Sequence, residues 1–307
     1  MKSILNSAKK EATPPKKLQE KKQRIAKIAC DLVGECIEKY PQVVGFELGG
    51  SYAKGTWVPE KPVDNVDIDI FVKFNKKTSE KDFRNIGTKI GFESLKKYKP
   101  YTRHAEHPFV EAIIDGTRVN VVPCYDVNKG EWKSATDRSI YHTKFMLQKL
   151  SNSMKGDVRI LKKFLQHIEV YGAEIAKEGF SGYVTEALIF YFGSFEKTIK
   201  KISELKKGQV IGKSTKKFDS FVVIIDPIDN NRNLGTAISI ENLGKFVLAS
   251  RAFLRNPSKN FFKKPISKRI MKNTDKIIVV QFKVKERSDD IVWGQIKRAS
   301  NALKTQL

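Results

Sequence analysis

The sequence predicts an α+β fold: a mixed sheet with flanking helices, then a helical central unit, then a short C-terminal α/β segment. Three observations carry this. Runs rich in Val and Ile cluster before residue 126: "QVVGFEL", "VDIDIFVKF" and "FVEAIIDGTRVNVVPCY". From 138 to 202 apolar residues recur at helical spacing. After 256 only "KIIVVQFKVK" and "DDIVWGQIKRASNAL" stand out, one strand and one helix, too little to close a core.

Each element follows from local chemistry. Residues 1–14 read as loose and end at "TPP", so residues 1–20 are expected to be a flexible basic lead-in. "KLQEKKQRIAKIACDLVGECIEKY" predicts an amphipathic helix with Ile25, Ile28, Ala29, Leu32, Val33 and Cys36 on one face. "QVVGFEL" predicts a strand, "GGS" a turn, and "EKDFRNIGTKIGFESLKKY" a helix. In "FVEAIIDGTRVNVVPC" Asp-Gly predicts a hairpin turn, and Pro123 should end the second strand. "FDSFVVIIDPID" predicts a strand, and "SIENLGKFVLASRAFL" a helix capped by Ser239. The divisions expected are 21–137, 138–255 and a basic segment, 256–307, shaped like the opening half of a domain.

The 307 residues carry 58 Lys and Arg against 34 Asp and Glu, a net charge of +24, which points to a polyanionic partner such as nucleic acid. A solvated lysine surface is the plainer account of the same charge. Between Arg251 and Lys304 there are 15 basic and four acidic residues, net +11, interleaved with Phe253, Phe261, Phe262, Phe282 and Trp293. Most of these aromatics are expected to be core. No apolar run approaches the roughly 20 residues of a membrane helix, and the N-terminus lacks a signal peptide's apolar stretch. Cys30, Cys36 and Cys124 suggest neither disulfides nor zinc. The cytoplasm is the expected location.

The chemistry sits in "LGGSYAKGTW" and "VDIDIF". Gly-Gly-Ser after a strand lets backbone N–H groups and a hydroxyl approach phosphate, although such pairs are common in turns. Asp67 and Asp69, two apart, project from one face of a strand. Adjacent carboxylates repel unless a cation lies between them, and Mg²⁺ favours a few carboxylates, waters and substrate phosphates. Together the motifs could hold a triphosphate and its metal.

"GGSYAKGTW", "VDIDIF", "HAEHPFVEA", "VVPCY", "TDRSIYHTKF", "YGAE", "GFSGYVTEALIFYFGSF" and "DPIDNNRN" together resemble the archaeal-type (class I) CCA-adding enzymes across residues 20–300. These are tRNA nucleotidyltransferases of the polymerase-β-like superfamily. The resemblance implies a nucleotidyltransferase catalytic head at 21–137, a nucleotide-recognition domain at 138–255 and an RNA-binding body beyond. It implies addition of C and A from CTP and ATP to the tRNA 3′ end with two Mg²⁺ ions. Asp67 and Asp69 would ligate metal. Gly50 and Ser51 would hold the β/γ-phosphates, and Lys54 falls at a basic position beside them. Ser139 and His142 match nucleotide contacts, although Ser139 could instead cap its helix and His142 could be structural. Lys162 and Tyr171 match triphosphate and sugar/phosphate contacts, against the plainer readings of a solvated lysine and a core tyrosine. Arg232 matches the arginine that separates C and A from G and U.

Two departures stand out. The family's third carboxylate lies where this chain has Asn120, which can offer a metal one neutral oxygen but no charge. Its loss is expected to cost about 10²–10⁴ in rate. An engineered Asp→Asn change, a natural enzyme of altered chemistry, or a silent RNA-binding paralogue would each explain it. Tailing of other RNA 3′ ends is the other activity open to this fold. The second departure is length: family members continue into a tail, so a separate tail subunit, a homodimer or a shorter RNA grip is expected.

Overall fold

The computed structural model describes residues 1–59, 66–103, 108–263, 281 and 288–306. The expected strand at 276–285, Gln281 apart, and Phe282 lie outside these residues.

The N-terminal unit is built on a five-stranded sheet ordered β1-β2-β5-β4-β3, from Val43–Gly49 (β1), Ile68–Asn75 (β2), Tyr101–Arg103 (β3), Phe109–Ile114 (β4) and Thr117–Asp126 (β5). β2 and β5 run parallel, and the other pairs antiparallel. Asp115 and Gly116 both take positive φ, 48° and 72°, the conformation a two-residue hairpin turn requires. That turn sets the register: Ile114 faces Thr117, and Glu111 faces Asn120.

Strand alternation gives the sheet two unlike faces. Ile68, Ile70, Val72, Phe74, Val119, Val121, Ala112 and Ile114 form one core with helices Lys16–Ile37 (α2) and Glu80–Ser94 (α4). The other face carries Asp69, Asn120 and Glu111, then a small apolar patch of Phe71, Val122 and Cys124 under Ile140 of helix Asp137–Lys149 (α5). β5 continues through Pro123 rather than ending there. β4 pairs with it only as far as Val121, so beyond that point β5 lacks a neighbour on β4's side, where an absent N–H is tolerated. "GGS" opens a five-residue helix, Gly50–Lys54 (α3), closed by Gly55 at φ 68°.

The second unit holds helices Asn152–His167 (α6), Gly182–Phe192 (α7), Phe195–Ser203 (α8) and Ile240–Arg255 (α9), with strands Gln209–Ile211 (β6), Val222–Asp226 (β7) and Asp229–Asn233 (β8). Gly193, at φ 85°, divides α7 from α8. Ser239 caps α9 by accepting from the Asn242 N–H. Phe164, Phe253 and Phe262 pack in this core, whereas Trp293, on helix Asp289–Gln306 (α10), is 44% exposed. No helix among the described residues is long and apolar enough to cross a membrane.

The N-terminus departs from expectation. Residues 1–20 are not a flexible lead-in: Lys2–Ala12 is a helix (α1) docked on the second unit, with Leu5, Ala8 and Ala12 buried there and Lys9 paired to Asp157 at 2.9 Å. Its lysines hide a narrow apolar stripe whose partner is more than a hundred residues away. Leu5→Ala is therefore expected to lower stability by about 2–3 kcal/mol in urea unfolding; a change below about 0.5 kcal/mol would mean the helix is not docked.

Candidate functional site

The acidic corner follows from the register. Gly49 faces Asp69, Asp69 faces Asn120, and Asn120 faces Glu111. The Asn120 amide donates to Asp69 Oδ1 at 2.8 Å. Its own Oδ1 is buried and unpartnered. Arg118, two residues before Asn120 on β5, donates through Nε to Asp67 Oδ1 at 2.6 Å. Glu111 is buried and accepts from the Tyr101 hydroxyl. Gly50 packs on Asp69 so closely that a Cβ there would stand 1.9 Å from Asp69 Oδ2, and its φ of 69° adds to the demand for glycine.

Electrostatics mark the corner as short of positive charge. Burial pushes the Asp67 carboxyl above its ordinary pKa, Arg118 pulls it back, and Asp69 and Glu111 push it up again, for a net rise. Burial also raises Asp69, opposed by the Asn120 amide, Lys54 and Arg118 and reinforced by Glu111. The residues offer the hard oxygen donors a divalent cation takes: two carboxylates whose charged form burial disfavours, and an amide oxygen without a partner. Among the described residues no three His, Cys, Asp or Glu side chains are gathered at metal-holding spacing.

Lys54 leads to a second cluster. Its Nζ meets Glu186 Oε2 at 2.6 Å; Lys162 Nζ lies 3.9 Å from Glu186 Oε1, and the Thr56 hydroxyl donates to that same oxygen. All four side chains are buried. Burial alone would raise Glu186, but the two lysines and the hydroxyl hold it low, so it stays ionised. Lys162 is thus no solvated lysine: burial lowers its pKa, against the pull of Glu186. A Cβ on Gly182 would stand 3.1 Å from the Tyr171 hydroxyl and 3.6 Å from Lys162 Nζ, so these two flank the start of α7.

A third cluster centres on Asp226, fully buried at the end of β7. His142 Nε2 lies 2.9 Å from Oδ2, Arg232 donates to Oδ2 at 3.0 Å, and Tyr183 donates to Oδ1 at 2.9 Å. Tyr183 stacks on His142 with ring centroids 3.7 Å apart. Burial lowers His142, with Asp226 opposing, and the net is downward. The imidazole is therefore neutral near pH 7, and Nε2 carries the proton it donates. Burial pushes Asp226 up, but His142, the Ile228 N–H and Arg232 outweigh it and keep the carboxylate ionised.

The structure thus brings Gly50, Lys54, Asp67, Asp69 and Asn120 to one sheet end, and His142 and Arg232 to one carboxylate. Lys54 connects them: its charge acts on both Asp69 and His142, and its Nζ lies 5.6 Å from the Tyr183 ring. Ser139 is not a cap. It sits in the first turn of α5, where its carbonyl accepts from Thr143, while Thr136 holds the N-cap position. Ser51 holds α3 closed through its backbone carbonyl, which accepts from the Thr56 N–H. Sequence reading missed Glu186, Asp226 and Glu111. A lone Glu in the apolar helix "GYVTEALIFYF" was the available signal for the first. Beside the corner, Tyr101, Arg103, Asp289 and Trp293 line a cavity of about 470 Å³.

Comparison with known proteins agrees with this geometry. Residues 29–142 match the family profile described as nucleotidyltransferase domain, and 156–263 that of tRNA nucleotidyltransferase, second domain. The chain is 36% identical over 313 residues to the CCA-adding enzyme of Pyrobaculum islandicum, covering 99% of this chain and 72% of that protein. It is 36% identical over 304 residues to that of Sulfurisphaera tokodaii, covering 96% and 70%. Among solved structures it shares its fold with a cytoplasmic RNA terminal U-transferase at TM-score 0.63, with 13% identity, 86% of this chain and 99% of that one covered. The Cid1 poly(U) polymerase gives TM-score 0.63, 13% identity and coverage of 85% and 98%.

Removing the charge of Glu186 leaves two buried lysines facing a neutral amide. Glu186→Gln is expected to cost about 3–5 kcal/mol in denaturant unfolding. A loss under about 1 kcal/mol would mean that the lysines find other partners or water.

Proposed function

This chain belongs to the CCA-adding enzyme family, and from that premise we propose how its own residues add C and A to the 3′ end of tRNA. The RNA 3′-oxygen bonds to the α-phosphorus of CTP or ATP, its proton departs, and pyrophosphate leaves. The observation that carries the reading is the register placing Asp69 beside Asn120, with Gly50 against the Asp69 carboxylate. Asp67, Asp69 and the Asn120 oxygen would hold the divalent cations, two Mg²⁺ in this reading. Such ions, when bound, activate the 3′-hydroxyl and neutralise charge on the pyrophosphate.

The remaining roles follow the charge. Gly50 and Ser51 offer close backbone approach to the β/γ-phosphates. Lys54 and Lys162, fixed by Glu186, set a positive potential beneath the triphosphate. Tyr171, beside Lys162, meets the sugar or phosphate. Ser139 and His142 line the nucleotide's side of α5, and Asp226, whose Oδ2 takes hydrogen bonds from both His142 and Arg232, aims Arg232 at the base edge. Catalysis is assigned to 21–137 and nucleotide recognition to 138–255. We place this work in the cytoplasm, with tRNA and nucleoside triphosphates.

Incubating the chain with tRNA lacking CCA, Mg²⁺ and each nucleoside triphosphate in turn should give addition of C and then A. A alone would indicate another RNA-tailing activity, and RNA binding without addition a silent paralogue. Arg232→Ala should raise G and U incorporation relative to C and A about tenfold or more, because the base edge loses its hydrogen-bond donor. Affinity for tRNA should fall at least tenfold between about 50 and 200 mM salt, as expected of a +24 chain held by phosphate contacts; a salt-insensitive complex would contradict this.

A further inference from the structure

The hairpin of β7 and β8 carries Arg232, and α5 holds that hairpin at two places. Asp226 and Asp229 are register partners beside its turn. Asp226 meets His142, but Asp229 has no role in the reading above. Its Oδ2 accepts from Trp132 Nε1 at 3.1 Å and from Arg138 Nε at 3.3 Å. Its Oδ1 accepts from the Asn231 N–H at 3.2 Å, inside the hairpin. One carboxylate thus shapes the turn and ties it to earlier parts of the chain. Arg138 and His142 are four apart on α5, so they share a face, one turn apart. Two donors on the helix meet two acids on the hairpin.

The second contact is built at both ends. The Arg138 guanidinium lies 5.3 Å from the centroid of the Trp132 ring, and Trp132 meets Tyr141 edge-on with centroids 5.1 Å apart. A guanidinium stacked on an indole has lost freedom already, so its hydrogen bond costs less further ordering. The Asp229 side chain is 17% exposed, which limits screening of the pair by water. α5 is anchored in turn to the catalytic sheet. Asp137, buried in its first turn, accepts from the Tyr125 N–H at 2.8 Å, and the Thr136 hydroxyl donates to the Pro123 carbonyl at 2.7 Å. Pro123 and Tyr125 lie on β5, the strand of Asn120. Polar contacts therefore run from that strand, through the start of α5, to the hairpin.

The geometry points to Arg138, Asp229 and Trp132 as positioning residues for base selection, which set where Arg232 stands relative to the catalytic sheet. This rests on the reading of Arg232 as the donor to the base edge. The Arg232 side chain is 43% exposed, so its aim depends on the backbone that carries it. A hairpin held by His142 and Asp226 alone could swing about that one contact. A second contact a helical turn away removes this freedom. Displacement of a reading group by about 1 Å is enough to spoil its selectivity. None of the three residues has to touch the nucleotide.

The test compares the full-length parent with Arg138→Met, Asp229→Asn, the double variant, Trp132→Phe and Arg232→Ala. Arg138→Met keeps an apolar stem over Trp132 without donors, and Asp229→Asn leaves one acceptor oxygen for two tasks. Trp132→Phe keeps a ring but loses the N–H. With Mg²⁺ present, binding of labelled CTP and UTP is measured by equilibrium dialysis on tRNA lacking CCA and ending in a 3′-deoxynucleotide. Incorporation of each into unblocked tRNA lacking CCA and the melting temperature are followed in parallel. The preference for CTP over UTP should fall at least fivefold in Arg138→Met and in Asp229→Asn, and about threefold in Trp132→Phe. The double variant should stay within about twofold of the single ones, because both break the same contact. Additive losses in the double variant overturn the proposal. So does parental preference in both single variants while Arg232→Ala loses it, and the base reading then stands. Equal weakening toward both nucleotides, in step with a lower melting temperature, marks a contact that only supports the fold and overturns the proposal as well. If those single variants do not fold, parental preference in Trp132→Phe overturns it. Parental preference in Arg232→Ala, or a parent with no preference in binding or incorporation, overturns both the proposal and the base reading.

Discussion

The arrangement depends on the register of β2, β5 and β4. In a strand, alternate residues face opposite sides, so a shift of one place would exchange every side chain between core and site. Here one face supplies the Ile and Val that pack against α2 and α4, and the other supplies Asp69, Asn120 and Glu111. The same constraint therefore holds the core together and aligns the acidic row. Hydrophobic burial makes the wrong register costly, and the right one sets the carboxylates side by side despite their repulsion.

Two buried carboxylates of the second unit extend this order. Glu186 gathers Lys54 from the first unit and Lys162 from its own. Asp226 gathers His142, Tyr183 and Arg232. Buried ion pairs add little net stability, because desolvation consumes most of the attraction. What they supply is definition: a lysine in a dry site has few acceptable positions, and Lys54 is fixed where its charge reaches both Asp69 and His142.

Local chemistry was legible in the sequence, and distant chemistry was not. The Asp115–Gly116 turn, the Ser239 cap and the paired Asp67 and Asp69 each rest on a few adjacent residues, and each could be read there. α1 could not, because its short apolar stripe has meaning only against α6 and the core around it. Pro123 misled for the same reason: whether a proline ends a strand depends on whether a neighbour needs its N–H. Glu186 and Asp226 were hidden in apolar runs, their partners scattered along the chain. Glu111 is the instructive case. A two-residue hairpin fixes the pairing by simple counting from the turn, so its position opposite Asn120 was in the sequence, although motif comparison looks along a strand rather than across it.

The docking of α1 has a mechanical consequence. α1 packs in the core of the second unit, whereas α2, a few residues later, packs on the first. Thr13, Pro14 and Pro15 join them, and the prolines stiffen that connection. α5 is a further covalent tie across the same boundary, with Ile140 against the first sheet and Met146 in the second core. Two covalent ties, with side-chain contacts such as Lys54–Glu186 and Arg159–Gly55 across the same boundary, oppose separation of the units. The chain's first helix is thus a tether as well as part of the core: it holds α2, and the sheet α2 packs on, against the second unit.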